Sequence, residues 1–225
     1  KINNEKQKII TVEDPVEYQL DGITQIQANA SIGLSFAQGL RSIVRQDPDV
    51  LMIGEIRDHE TAEIAIESAL TGHLVFSTLH TNDAAGAVTR LQDMGVQGYL
   101  ISSSMLAIQA QRLVRRVCTD CTETHPLSTD EAMALEIDIN TISEIRRGSG
   151  CERCGQTGYR GRVGLYELLI MSDAIRHHIA SGADANIIRD EAIKEGMKTL
   201  RQDALEKLAS GMTTPEEVVR VTRAR

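Results

Sequence analysis

Asp47-Pro48-Asp49-Val50-Leu51-Met52-Ile53-Gly54-Glu55-Ile56-Arg57-Asp58 holds four apolar residues in a row, then a glycine, then a carboxylate. The run at 50–53 has the length of one strand. A strand that is apolar without alternation is buried on both faces, as in a parallel sheet. Open α/β sheets bind ligands outside the carboxyl ends of their strands, which is where Glu55 stands. A Gly-Glu step after an apolar run also marks ordinary strand ends, so the neighbours decide. Residues 8–12 form a second candidate strand, followed by Glu13 and Asp14, and residues 74–79 a third, followed by His80. Three strand ends offering acid, acid and imidazole point to one site.

The stretches between these strands carry helix signals. Residues 35–45 place Phe36, Leu40, Ile43 and Val44 at helical spacing. Asp58 can cap a helix over 59–70, with Gly72 just past its end, and Ile64, Ile66 and Leu70 are expected to supply much of its buried stripe. Asn82 or Asp83 opens another helix and Gly95 closes it. Residues 23–27 alternate and read as an exposed strand. This βαβα order predicts an α/β fold with a parallel or mixed sheet. Residues 99–117 read as one long helix ending in Arg112, Arg115 and Arg116, cations that suit a helix C-terminus. Residues 163–171 read as a final strand. Helices follow from Ser172 or Asp173 to Gly182, over about 184–195, and from Thr199 to Gly211. The last helix has Thr214 as N-cap, Pro215 at its first position and Glu217 three residues on, the pattern of a capping box.

The bulk composition narrows the classes. The chain has 225 residues, enough for one large or two small domains, with no Trp, two Phe and four Tyr, so its core is aliphatic. A net charge of −8 argues against coating nucleic acid through bulk charge, and the scarce aromatics argue against base-stacking platforms. No run of 18 apolar residues occurs, so no transmembrane helix is expected. A start at Lys1, without Met and almost directly in a strand, is expected of a segment of a longer protein.

The sharpest local signal is Cys118-x-x-Cys121 with Cys151-x-x-Cys154. Zinc takes four soft donors in a tetrahedron, and each Cys-x-x-Cys turn supplies two; four thiolates leave no open position, so such a site is structural. The gap at 122–150 is longer than usual for paired knuckles and is expected to be a ribbon with an inserted acidic loop. Four reduced, unmetallated cysteines are the alternative. Arg112, Arg115, Arg116, Arg153, Arg160 and Arg162 crowd this region, either as charge balance or as a surface for an acidic partner or nucleic acid. In the first half, Glu13, Asp14, Glu17 and Glu55 are candidates to hold Mg2+ or to orient water in phosphoryl transfer. Arg41, Arg45 and Arg57 could touch phosphates or pair with neighbouring acids. His80 could report on a terminal phosphate or act as a structural hydrogen-bonder. His73, seven residues earlier, lies on the opposite face of a regular strand. No Gly-x-x-x-x-Gly-Lys-Ser/Thr occurs in the 225 residues, so the residues alone supply half a nucleotide site.

In combination these residues resemble the carboxyl-terminal motor domain of type II secretion and type IV pilus assembly ATPases, along nearly the whole chain. Ile10-Thr11-Val12-Glu13-Asp14-Pro15-Val16-Glu17-Tyr18 is similar to that family's aspartate box. Arg45-Gln46-Asp47-Pro48-Asp49, continuing to Gly54-Glu55-Ile56-Arg57-Asp58, resembles its Walker B segment. Thr71-Gly72-His73-Leu74, continuing to Ser77-Thr78-Leu79-His80-Thr81-Asn82, resembles its histidine box, and the two cysteine pairs match its tetracysteine zinc module. The resemblance implies a RecA-like P-loop NTPase core (its N-terminal part, with the phosphate loop, missing), an inserted zinc module and a small C-terminal helical subdomain. The corresponding segments are 1–117 for the partial ATPase core, 118–162 for the tetracysteine module and 163–225 for the final strand and helices. It implies ATP with Mg2+, Zn2+ at Cys118, Cys121, Cys151 and Cys154, and a homo-hexamer at the cytoplasmic side of the inner membrane, attached through platform proteins. By motif, Glu55 is the Walker B acid, Glu13 and Glu17 are aspartate-box acids of which one is a general base, and Asp14, Arg57, His73 and His80 serve the nucleotide. The family's phosphate loop lies upstream of the aspartate box, so activity of the chain by itself stays open. Ile188-Arg189-Asp190-Glu191-Ala192 and Gly196-Met197-Lys198-Thr199-Leu200-Arg201-Gln202-Asp203 resemble secretion and pilus-extension motors more than retraction motors, with the balance toward secretion. A non-catalytic zinc-ribbon binding module is the alternative from another class. The arginine cluster speaks for it; the acidic net charge and scarce aromatics speak against it.

Overall fold

A computed structural model describes residues 2–4 and 6–222, the side chain of Ala30 aside. The apolar runs become the sheet: β1 (Ile9–Glu13), β2 (Ile23–Gln27), α1 (Phe36–Val44), β3 (Val50–Ile53), α2 (His59–Leu70) and β4 (Leu74–Ser77) follow one another. The strands lie in the order β2-β1-β3-β4, all parallel, as continuous apolar runs require. Val12 and Ile53, which face each other across β1 and β3, are wholly buried. β2 is the exposed strand at one edge; the outer edge of β4 has no partner strand among the described residues.

The helices start where their caps are. Ser35 accepts from the Gln38 N–H, and Asp58 from the Thr61 N–H at 2.8 Å. Asp83 caps α3 (Ala84–Asp93). The stripe of α2 differs from expectation: its buried residues are Thr61, Ala62, Ala65, Ile66 and Ser68, while Leu70 is exposed. Apart from Ile66, that buried stripe is made of small or short polar side chains.

The expected helix over 99–117 is not one element. α4 (Gly98–Ser104) stops at Met105 and the chain turns extended as β5 (Ala107–Val117). In β5, Ile108, Ala110, Arg112 and Val114 turn inward to varying degrees, while Ala107, Gln109, Gln111 and Leu113 are exposed. That is a period of two, which belongs to a strand. Arg112, Arg115 and Arg116 therefore sit on a strand and cap no helix.

β6 (Thr122–Pro126), α5 (Thr129–Ala134) and β7 (Glu144–Gly148) fill the region expected to be an inserted loop, with β6 antiparallel to β7. β8 (Tyr159–Ile170) pairs with β5. Four helices end the chain, near their expected bounds: α6 (Asp173–Ala180), α7 (Ala185–Lys194), α8 (Leu200–Ala209) and α9 (Pro215–Thr222). Thr199 and Gln202 form a capping box on α8.

The chain folds as two units, each discontinuous in sequence. The first takes residues up to Ile108 together with Ile170–Ala192; the second takes Gln109–Leu169 together with Ile193 onward. These bounds cut across the segments 1–117, 118–162 and 163–225. The second unit has its own core, in which Leu135, Ile145, Leu165 and Leu208 are almost wholly buried. Each such side chain contributes about 1.5–3 kcal/mol, against about 0–1 kcal/mol for an exposed ion pair. Apolar burial, and not its acidic surface, therefore holds the region 122–150.

Candidate functional site

The sheet register brings the strand ends side by side. Val12 pairs with Ile53, and Ile53 with Ser77, so Glu13, Gly54 and Thr78 are the first residues past the three paired rows. The backbone then stitches this edge. The Gly54 N–H donates to Val12 O at 2.7 Å, the Ile56 N–H to Thr78 O at 3.0 Å, and the Thr78 hydroxyl to Gly54 O at 2.6 Å. A Cβ at Gly54 would stand 3.3 Å from Val12 O and 3.4 Å from Glu13 Cα. Glycine is what lets β1 and the Glu55 turn approach this closely.

Glu55, whose side chain is 12 % exposed, sits between Arg57 and His80. Its Oε1 takes the Arg57 guanidinium, and its Oε2 lies 3.0 Å from His80 Nε2. The Arg57 hydrogen bond is the main influence lowering the Glu55 pKa; partial burial opposes it, and His80 adds to the lowering. The reciprocal bond raises Arg57. An anionic carboxylate at the end of β3 is the result.

Glu13 is held differently. Its Oε1 accepts the Thr11 hydroxyl at 2.5 Å and the Gln25 amide at 3.0 Å. Thr11 lies two residues back, hence on the same face of the strand, and Gln25 faces Thr11 across the β1–β2 register. Sequence reading missed both. Thr11 was visible as a polar residue in an apolar run; Gln25 became visible only through the register. Gln25 also accepts from the Leu20 N–H at 2.8 Å and donates to Tyr18 O at 3.0 Å, which ties down the loop that carries Asp14 and Glu17. Asp14 and Glu17 are exposed, and Glu17 has no hydrogen bond or ion pair among the described residues. His73 lies at the other end of β4, its Nδ1 2.9 Å from Ser68 O and 3.2 Å from Thr71 Oγ1. It is not brought to Glu55. Arg41 pairs with Glu60 at 2.5 Å.

The four cysteines assemble in the second unit. Cys118 follows β5, Cys121 precedes β6, and Cys151 and Cys154 flank a 3-10 turn between β7 and β8. Their sulfurs all lie within 4.8 Å of one another, with Cys118–Cys151 and Cys121–Cys154 at 3.9 Å and Cys151–Cys154 at 3.7 Å. A tetrahedral ion with metal–sulfur bonds of about 2.3 Å sets its sulfurs about 3.8 Å apart, so the donor set fits such an ion. Backbone bonds lock the two knuckles together: the Cys118 N–H donates to Gly158 O at 2.9 Å and the Ser149 N–H to Cys121 O at 2.9 Å. A Cβ at Gly148 would stand 2.2 Å from Gly158 O, so no other residue fits there. Burial pushes the Cys121 thiol up to about 12. Cys154 meets the same burial, yet the Cys151 and Gly158 N–H groups, at 3.2 and 3.3 Å, help bring it down to about 6.

The arginines around this cluster are partly spoken for. Arg153 and Arg160 both donate to Asp120, at 3.1 and 3.3 Å. Arg115 lies over the Tyr159 ring and donates from both its backbone and its guanidinium to Glu217. Glu217, read as the capping-box acid of α9, is fully buried and serves Arg115 and Arg220.

A parallel sheet with carboxylates at its strand ends, in a chain that also carries a four-thiol module, defines a class: the fold is that of the RecA-like secretion ATPases. A pilus retraction motor PilT with bound ADP is 29 % identical with a TM-score of 0.69, over 97 % of this chain and 53 % of that one. The ATPase DotB of Legionella pneumophila has the same TM-score at 23 % identity, over 98 % of this chain and 53 % of that one, a likeness of fold alone. The chain belongs to the type II/IV secretion system protein family, whose model matches residues 1–220. Type II secretion system protein E of Aeromonas hydrophila is 49 % identical over 222 residues, 99 % of this chain and 44 % of that protein. The type IV pilus assembly ATPase PilB of Thermus thermophilus is 52 % identical over 211 residues, 93 % of this chain and 24 % of that protein. The chain thus spans less than half the length of these curated relatives. Among the described residues no helix is long and apolar enough to cross a membrane.

Proposed function

We propose that the chain is the carboxyl-terminal motor portion of an ATP-hydrolysing secretion ATPase. The observation that carries the reading is the gathering of Glu13, Glu55 and His80 at adjacent ends of three parallel strands, with Glu55 held anionic by Arg57. Glu55 is the acid that holds a cation or polarises the attacking water, and Glu13 or Glu17 is the general base. Asp14 and Arg57 border the nucleotide. His80 reads the nucleotide state directly, and His73, at the far end of β4, passes it on to α2. Mg2+ would supply charge neutralisation on the phosphates. The glycine-rich phosphate loop would come from another part of a longer protein. The four cysteines hold Zn2+, which contributes folding energy to the second unit. The motor works as a homo-hexamer on the cytoplasmic side of the inner membrane. There it drives platform proteins that assemble a pseudopilus and secrete protein across the outer membrane, without nucleic acid. Pilus extension is the second reading, favoured by the similarity to an assembly ATPase.

The test is Glu55→Gln in the full-length protein. Removing a general base or its equivalent costs about 10²–10⁴-fold. ATP hydrolysis should fall by at least about a hundredfold on that scale while nucleotide still binds. Hydrolysis at the wild-type rate would remove Glu55 from the centre of the site.

A further inference from the structure

We propose that Arg189 is a positioning residue for the strand-end site, acting through Asp83 on the loop that carries His80; the proposal rests on reading that site as a nucleotide-hydrolysing one. Arg189 stands on α7, far along the chain from the carboxylates, yet in the same unit. Its Nη2 donates to Asp83 Oδ2 at 2.7 Å, and its Nη1 to Asn186 Oδ1 at 3.1 Å. Asp83 is thereby used at both oxygens. Oδ1 accepts the Gly86 N–H at 2.7 Å and caps α3, while Oδ2 takes the guanidinium. The Thr81 hydroxyl donates to Asp83 O at 3.1 Å, which draws the preceding residues into the same anchor.

The loop over 79–83 is therefore pinned at two ends. At one, Thr78 is bonded to Gly54 and Ile56; at the other, Arg189 holds Asp83. His80 lies between, its side chain 85 % exposed, reaching Glu55 Oε2 at 3.0 Å. An exposed ring on a loop keeps such a contact only as well as the loop keeps its place. The Arg189–Asp83 pair is shielded, with side chains 32 % and 27 % exposed, and its hydrogen bond is charge-assisted at both ends. Loss of Arg189 leaves the α3 cap on Oδ1 intact, so the helix stays while the sideways restraint on the loop goes. The expected defect is thus in the geometry at Glu55 and His80 and not in the fold. A misplacement of about 1 Å at a reacting centre can cost about a hundredfold in rate.

The experiment compares Arg189→Gln, Arg189→Lys and Glu55→Gln in the full-length protein by steady-state ATP hydrolysis, melting temperature and amide hydrogen exchange. For Arg189→Gln the expected result is a kcat lowered by about ten- to a hundredfold, with KM for ATP and melting temperature unchanged. Exchange at 79–83 should be faster. Lysine keeps the charge without the fork, so Arg189→Lys should return to within about threefold of wild type. Unchanged exchange at 79–83, or a kcat that falls only in step with the folded fraction and is not recovered by lysine, would overturn the proposal. If Glu55→Gln hydrolyses ATP normally, the reading of the site fails, and exchange at 79–83 still decides whether Arg189 holds the loop.

Discussion

The two candidate sites are built in opposite ways. The four-cysteine cluster is local: two short turns supply all its donors, and backbone bonds within the second unit fix their separation. The strand-end site is distributed. Glu13 ends β1, and Glu55 and His80 follow β3 and β4; the register of the parallel sheet ends these strands side by side, and His80 reaches Glu55. The cluster is closed, with four donors and no open position. The strand-end cluster is open, with Glu17 and Asp14 exposed. A closed local site stabilises a fold; an open distributed one reports on whatever binds between its elements.

If that contrast holds, metal removal gives the largest stability effect. Structural zinc contributes about 10–16 kcal/mol of apparent folding energy in finger peptides, and the apolar core of the second unit would retain only part of its stability without it. Chelation, or Cys151→Ser, should lower the melting transition of the second unit by tens of degrees. Exchange in β1, β3 and β4 should stay slow. Metal analysis and exchange on the same samples check this; a cluster purified without chelator and holding no metal would make the thiols simple packing and end the contrast.

How far each site could be read from the sequence follows from how it is built. The cysteine spacing names its chemistry because the ligands are neighbours. The strands of the first unit were legible because continuous apolar runs such as Val50-Leu51-Met52-Ile53 have one reading in a parallel sheet. The stretch from Gly98 to Val117 was not: its apolar residues fit a helical stripe and a strand alternation alike, and only the change to extended backbone at Met105 separates α4 from β5. Glu217 has the spacing of a capping-box acid, and nothing local shows that Arg115, 102 residues away, claims it. The link from Gln25 to Glu13 is likewise a matter of register. Residues that act through long-range partners leave no pattern in their own surroundings.

Glu217 tests whether the second unit depends on its metal alone. Burial opposes its ionisation, but hydrogen bonds from Arg220 and from the backbone and guanidinium of Arg115 hold its pKa at about 2. Breaking a buried pair by removing one partner costs about 3–5 kcal/mol, so Glu217→Gln should destabilise the second unit by roughly that amount. The pH dependence has a definite sign. A pKa below the ordinary 4.5 adds stability that is complete above pH 4.5 and is lost as pH falls toward about 2. Equilibrium unfolding of wild type and Glu217→Gln from pH 7 to 2 should converge in that window. Parallel curves would mean that Glu217 is not the group that titrates.

The smallest expected effect falls on the open site. Gln25→Ala removes the amide that donates to Glu13 and to Tyr18 O, and the acceptor for the Leu20 N–H. β2 lies at the sheet edge, where water can replace these partners, so stability should fall by only about 0.5–1.5 kcal/mol. What changes is the aim of Glu13. With Gln25 gone, the carboxylate keeps only the Thr11 hydroxyl and can turn toward whatever occupies the strand ends. If Glu13 is the general base, the full-length variant should show a shifted pH–rate profile out of proportion to its loss of stability. If Glu13 is a structural acid, stability and rate should move together. The first outcome keeps the strand ends as a site assembled by register; the second would narrow it to Glu55, Arg57 and His80.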